Sequence, residues 1–186
     1  ADLARQMLAY SGRGKFVVEH LDLSAAVRDI ATLLAISLPR KATLHYDLAD
    51  DLPPVEADAT QLRQIIMNLV INAAEALGDE PGTIGLETST RSLTAEDISA
   101  ISGSEAQPGV FACLRVSDTG CGMDALTASR IFDPFFTTKF TGRGLGLAAV
   151  LGIVRGHKGA IRVTSERGKG TAFELFLPVT PNPEPR

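Results

Sequence analysis

The sequence predicts an α+β fold: a two-layer sandwich with a mixed, mostly antiparallel sheet covered by helices on one face. Two observations carry this. Strand-like and helix-like segments are mixed without regular βαβ alternation. The last two strand-like segments flank Gly168-Lys169-Gly170 and close a hairpin.

Taken in order, residues 1–11 read as the end of a helix, and Val17 to Leu23 as an edge strand. Ser24 is placed to cap a helix running to about Leu38, where Pro39 stops it. Thr43 to Leu48 alternate like a half-buried strand, and Val55 to Ala57 form a short one after the turn at Asp51 to Pro54. Asp58-Ala-Thr-Gln61 is a capping-box pattern that opens a helix to Leu77, closed by Gly78. Gly85 to Thr90 continue as strand. Ser92 to Pro108 are polar with short helical propensity and read as an exposed insertion. Val110 to Val116 form a strand ending at Asp118, Asp124 to Ile131 a short helix, and Asp133 to Arg143 a loop. Leu145 to Arg155 form an apolar helix, followed by the hairpin strands Ile161 to Ser165 and Thr171 to Leu177. The Pro-rich end is expected to be disordered, from residue 179 onward.

Composition narrows the function. A chain of 186 residues, 45% hydrophobic and 22% charged, suits one domain with its own core. The net charge of −4 argues against nucleic acid, and leaves phosphate ligands open, since backbone amides can hold them. Cys113 and Cys121 form no CxxC pair and have no histidine cluster beside them, so neither a zinc site nor a disulfide framework is expected. No apolar run nears the ~20 residues of a membrane helix. A cytoplasmic setting is expected, with a parent protein free to be membrane-anchored. The opening Ala-Asp-Leu-Ala-Arg looks like the middle of a helix, as in a piece of a longer protein.

Helix 59–77 carries the first chemical signal. Leu62, Ile66, Leu69, Ala73 and Ala76 share one face, and Met67, Val70, Ile71 and Ala74 widen it. Gln61, Asn68, Asn72 and Glu75 form a polar stripe on the same helix. A polar stripe on a buried helix must be satisfied, by loops and buried water or by a polar cavity that holds a ligand. Asp118-Thr-Gly-Cys-Gly-Met123 follows a strand; it reads equally as a tight turn or as a carboxylate that meets an exocyclic amine beside glycines. Gly142-Arg-Gly-Leu-Gly146 leads into a helix, a setting suited to phosphate. Gly144, Gly146 and Ala149 match the dinucleotide-binding spacing, but no buried strand precedes them, and no P-loop pattern occurs. Ile131-Phe-Asp-Pro-Phe-Phe-Thr-Thr-Lys139 is either ordinary core or a lid hinged on an aromatic anchor.

Together these segments resemble the ATP-binding domain of sensor histidine kinases, of the GHKL superfamily shared with DNA gyrase, mismatch-repair ATPases and a heat-shock chaperone. Asn68-Leu-Val-Ile-Asn72-Ala-Ala-Glu-Ala-Leu is similar to the asparagine box, Asp118 to Met123 to the first glycine box, and Phe132 to Lys139 to the phenylalanine box. Gly142 to Leu147 resemble the second glycine box, and Gly168-Lys-Gly-Thr-Ala-Phe173 the terminal Gly-Thr strand. The boxes occur in order across residues 17–178.

The resemblance implies ATP and Mg²⁺ as cofactors. Asn72 would coordinate Mg²⁺ on the ATP phosphates, with Asn68 assisting. Asp118 would take the adenine amine, with Gly120 and Gly122 allowing close approach. Thr137, Thr138 and Lys139 would belong to the lid. Gly142, Gly144 and Gly146 would wrap the phosphates, with Arg143 adding charge and Thr171 near adenine. Met123, Phe136, Leu145 and Leu147 belong to the same boxes and complete the expected set. The basic residue or tyrosine that many relatives carry after the asparagine box is replaced here by Glu75 and Ala76. Hydrolysing relatives place a glutamate where this chain has Asn68, which favours phosphoryl transfer to an external nucleophile. His20, His45 and His157 read as structural or surface residues. The acceptor histidine is expected upstream, with residues 1–16 as the end of a dimerisation helix. The implied activity is γ-phosphoryl transfer to a histidine outside this chain, for relay to an aspartate on a response regulator. The implied partners are the upstream phosphoacceptor domain of the same parent and that receiver domain, with the fragment itself monomeric. The rival readings are a hydrolytic ATPase of the same superfamily and a degenerate docking module.

Overall fold

The structure, a computed structural model, describes residues 17–101, 104–138, 144 and 146–180. The expected helix remnant at 1–16 and the tail from 181 lie outside the described residues. Five strands form one sheet in the order β2-β4-β5-β7-β6, comprising β2 (Ala42–Leu48), β4 (Gly82–Leu93), β5 (Gly109–Asp118), β6 (Ala160–Glu166) and β7 (Gly170–Pro178). Only β2 and β4 run parallel; the other neighbours are antiparallel. A separate antiparallel pair joins β1 (Val18–Leu21) to β3 (Val55–Asp58).

Three helices, α1 (Leu23–Ala35), α2 (Ala59–Leu77) and α5 (Gly146–Gly156), cover one face of the sheet, and the short α4 (Ala125–Arg130) precedes α5 in the chain. Their buried side chains, among them Val27, Leu62, Ile66, Leu69 and Ile153, join Ile84, Leu86, Leu114, Val116 and Leu175 in one core. The alternation of β5 sets this directly: Ala112, Leu114 and Val116 face the helices, and the intervening Cys113, Arg115 and Ser117 face the other way. On that outer face one cross-strand row reads Glu87, Arg115, Glu174, Arg162 along β4, β5, β7 and β6. Arg115 reaches Glu87 at 3.0 Å and Arg162 reaches Glu174 at 2.7 Å. Opposite charges directly across neighbouring strands keep this part of the face compatible with water.

Several boundaries differ from the sequence expectation. Asp22, not Ser24, caps α1, accepting from the Ala25 amide at 3.0 Å. Ser24 is buried instead and bonds Thr88 Oγ1 and the Ala49 carbonyl, both at 2.7 Å. Helix α1 ends at Ala35, short of the expected Leu38. Strand β4 extends to Leu93, into the segment read as insertion. That segment then folds as α3 (Ala95–Ala100), started by a capping box between Thr94 and Asp97. Ile98, Ile101 and Ala106 are buried against Phe111, Cys113, Ala160 and Phe176, a small second core on the outer face of the sheet. Phe111 and Phe176 meet edge to face with centroids 6.4 Å apart. Burial pushes the Cys113 thiol up to about 11, so it is an inert packing group. Val179 and Thr180, expected in the disordered end, are tied in: Val179 bridges Val55, and the Thr180 amide donates to the Pro54 carbonyl at 3.0 Å.

The start of α2 also departs from its expected capping box. Asp58 accepts from the amides of Thr60 and Gln61, at 2.9 and 3.0 Å, but its own amide donates to His157 Nε2 at 3.0 Å. The Nδ1 of His157 lies 2.8 Å from the Ile153 carbonyl, so Nδ1 carries the proton and Nε2 accepts. His157 therefore ties the end of α5 to the start of α2. Burial pushes the Asp58 carboxyl up, but amide bonds from Val17, Gln61 and Thr60 outweigh it and hold it below its ordinary 3.8. A depressed folded value stabilises above the unfolded value and is lost as pH falls through the folded one. We expect Asp58→Ala to cost about 1–2 kcal/mol in urea unfolding at pH 7. The gap to wild type should narrow below pH 3.8.

Candidate functional site

Helix α2 leaves the core with one side still polar. Leu62, Ile65, Ile66, Leu69 and Val70 are buried, whereas Asn68, Asn72 and Glu75 line a cavity of about 630 Å³. Ala76, expected on the buried apolar face, lines it too, as does Ile71. Met67 and Ile71, expected to widen the buried surface, are 43% and 41% exposed. Gln61 belongs to the same stripe by spacing but not to the cavity; its Oε1 is buried without a hydrogen-bond partner among the described residues.

The opposite wall comes from the ends of β5 and β7. Asp118 ends β5, and its Oδ1 accepts from the Gly120 amide at 2.8 Å. Burial pushes the Asp118 carboxyl above its ordinary range, and bonds from the Gly120 and Thr171 amides offset only part of that. A half-buried acceptor on a cavity wall suits a hydrogen-bond donor on a ligand. Thr171 pairs with Asp118 in register and lines the cavity. Ser165, which the sequence reading missed, fixes this corner: its Oγ accepts from the Met123 amide and meets Thr171 Oγ1, both at 2.8 Å.

The glycines here are required by close backbone approach. Gly120 is not on the cavity wall as expected; a Cβ there would strike the Ala76 carbonyl, which also accepts from the Cys121 amide at 3.0 Å. Gly122 has φ +62° and lies against the Glu166 carbonyl, leaving no room for a side chain. The strand-end turn is thus stitched to α2 on one side and to the β6–β7 hairpin on the other.

The third wall is the phenylalanine segment and the start of α5. Phe132 meets Phe173 of β7 edge to face at 6.4 Å, anchoring the segment. Phe136 lines the cavity and carries the Arg130 guanidinium 4.5 Å above its ring. Phe135, at φ 66°, is 63% exposed, and its amide donates to the Gly144 carbonyl at 2.9 Å. Thr137, Thr138, Gly144, Gly146 and Leu147 complete this side. Gly146 begins α5 beside Asn68, so the free amides and positive end of that helix lie at the Asn68 end of the cavity.

The structure therefore brings Asn68, Asn72, Asp118, Gly122, Met123, Phe136, Thr137, Thr138, Gly144, Gly146, Leu147 and Thr171 to one cavity. Lys139, Gly142, Arg143 and Leu145 lie outside the described residues. Cys121, Thr127, Ile131 and Phe173 line the cavity without having been expected there. Their neighbours in the motifs were the available signal for the first, third and fourth; nothing in the sequence marks Thr127.

The family of histidine kinase-, DNA gyrase B-, and HSP90-like ATPases matches residues 57–181, and the chain belongs to that family. It is 41% identical over 180 residues to the sensor kinase CckA of Brucella abortus (strain 2308), covering 96% of this chain and 19% of that protein. It is 33% identical over 178 residues to the signal transduction histidine-protein kinase AtoS of Escherichia coli (strain K12), covering 95% of this chain and 26% of that one. Among solved structures, full-length ShkA in complex with AMPPNP superposes with a TM-score of 0.73 at 28% identity, covering 96% of this chain and 35% of that one. The catalytic domain of the histidine kinase ThkA gives 0.68 at 26% identity, covering 87% and 95%. The chain spans about a fifth to a third of the length of the curated relatives it matches.

The geometry makes Gly122→Ala a structural test of the strand-end turn. With no space beside the Glu166 carbonyl and a positive φ, we expect it to destabilise the chain by about 1–3 kcal/mol in urea unfolding. Gly78→Ala, also at positive φ but with open space around it, should cost less.

Proposed function

We propose that this chain is the ATP-binding catalytic domain of a sensor histidine kinase, acting on a histidine supplied by another domain of the same parent protein. The observation that carries the reading is the layout of one cavity. A half-buried carboxylate, Asp118, stands at one end, and a helix N-terminus with two asparagine amides stands at the other. The first suits the exocyclic amine of adenine, the second a polyphosphate. The likeness to a kinase solved with AMPPNP supports the same ligand class here.

Mg²⁺ fits this site through its chemistry. Among the described residues no cluster of three His, Cys, Asp or Glu could hold a metal by itself. Mg²⁺ instead suits one or two protein oxygens plus substrate phosphates. The side-chain carbonyls of Asn72 and Asn68 would supply such oxygens, and the ion would neutralise phosphate charge. The protein's own part is positioning: Asp118 holds the base, α2 sets the depth of the phosphates, and the start of α5 faces them with its amides. In transfer, the bond from the γ-phosphorus to its bridging oxygen breaks, ADP leaves, and a nitrogen of the acceptor imidazole takes the phosphoryl group.

Among the described residues the site has no base for water where hydrolysis would need one. Among the described lining residues the carboxylates are Asp118 and Glu75. Glu75 sits seven residues beyond Asn68, about 10 Å along the helix. No histidine lines the cavity among the described residues, so the acceptor comes from elsewhere. By sequence, residues 1–16 resemble the end of a dimerisation helix that follows the acceptor, and the phosphate would pass on to a response-regulator aspartate. No helix among the described residues is long and apolar enough to cross a membrane.

Calorimetric titration with ATP tests the reading. Wild type should bind ATP saturably and more tightly with Mg²⁺, and Asn72→Ala should lose the Mg²⁺ enhancement. A well-folded chain that binds no ATP contradicts the proposal, and rapid turnover without an acceptor favours a hydrolytic ATPase. Asp118→Asn should weaken ATP about 10–100-fold, the size of one hydrogen bond to a charged group. An ionised carboxylate is the stronger acceptor for the amine, so wild-type affinity should fall as pH drops through the raised Asp118 value. The Asp118→Asn variant should lose that dependence.

A further inference from the structure

Glu75 is a carboxylate on the wall of a cavity read as a nucleotide site, where a negative group opposes the ligand's phosphates. Its place along α2 indicates what else it meets. Asn68 lies beside Gly146, at the start of α5, and marks the phosphate end. Ala76 marks the base end: its carbonyl takes the Cys121 amide at 3.0 Å and packs against Gly120, which is bonded to Asp118. Asn68 to Ala76 span about 12 Å of helix, the scale of a nucleoside triphosphate laid lengthwise. Glu75 falls between Asn72 and the base end. Helical side chains lean toward the N-terminus, so its carboxylate is carried back from the Ala76 level toward Asn72.

Resting on the function proposed above, we propose that Glu75 determines sugar specificity by accepting a hydrogen bond from a ribose hydroxyl of the bound nucleotide. The chemistry selects the partner. An ionised carboxylate only accepts hydrogen bonds, and phosphate oxygens offer none. Between adenine and phosphates, the donors of ATP are the 2′ and 3′ hydroxyls. A basic residue at this position would pull on the phosphates; Glu75 holds the sugar instead.

The test compares ATP, 2′-deoxy-ATP and 3′-deoxy-ATP by calorimetry on wild type, Glu75→Gln and Glu75→Ala. Removing a negative charge relieves repulsion toward every triphosphate alike, so the readout is the ratio of affinities within each variant. Wild type should bind at least one deoxy analogue roughly 10-fold more weakly than ATP, as for one hydrogen bond to a charged acceptor. Glu75→Gln should shrink that ratio, and Glu75→Ala should bring it near one. Equal affinities in wild type, or an unchanged ratio in Glu75→Ala, overturn the inference while leaving the ATP site standing. Failure of wild type to bind ATP removes the function itself, and the inference with it. Glu75 is on the exposed side of its helix, and both replacements are good helix formers, so the variants keep the fold.

Discussion

Helix α2 must satisfy two surroundings at once, and the rest of the structure follows from that constraint. Leu62, Ile66, Leu69 and Val70 are sealed against the sheet and its neighbouring helices. Asn68, Asn72 and Glu75, on the same turns, face a cavity. A helix with this pattern cannot be covered all round, because closing the polar side would strand amides and a carboxylate in an apolar interior. It cannot be left half open to bulk water either, because its apolar side needs the sheet. The compromise is a cleft whose other walls are brought close by backbone.

Close approach is where the glycines act. The turn after β5 presses against α2 through Gly120 and the Ala76 carbonyl, and against the β6–β7 hairpin through Gly122 and the Glu166 carbonyl. Asp118, at the end of a central strand, is thereby held between rigid elements rather than on a free loop. Its raised ionisation point follows from burial in that corner. His157 works away from the cleft: by linking the Asp58 amide to the Ile153 carbonyl, it joins the helix that bears the asparagines to the one that begins at Gly146. Two walls of the site are thus fixed relative to each other through one imidazole.

The sequence was most legible where one signal dominated. Helix 59–77 appears with its expected bounds because its apolar period, its Asp58 cap and its Gly78 stop agree. The sandwich with a terminal hairpin follows from element order, and the antiparallel pairing of β6 and β7 bears it out. Legibility failed where tertiary contacts decided. Ser24 has the chemistry of a cap, yet Asp22 takes that place and Ser24 turns inward to Thr88. Gln61 completes a capping pattern on paper, but His157, 99 residues from Asp58, supplies the acceptor for the Asp58 amide. The polar stretch 92–108 reads as solvated because its few apolar residues, Ile98, Ile101 and Ala106, gain meaning only over Phe111 and Phe176. In the site, motif residues were legible singly; that Ile71, Thr127 and Phe173 share their cavity depends on packing between distant segments.

The account turns on Asp118 as the group that reads the base. A direct measurement is the affinity of the chain for ATP against inosine triphosphate, which carries a carbonyl in place of the exocyclic amine and keeps sugar and phosphates unchanged. The account predicts saturable ATP binding and inosine triphosphate binding weaker by about 10–100-fold or more, since the Asp118 carboxylate would face an acceptor instead of a donor. Equal affinity for the two nucleotides would contradict it.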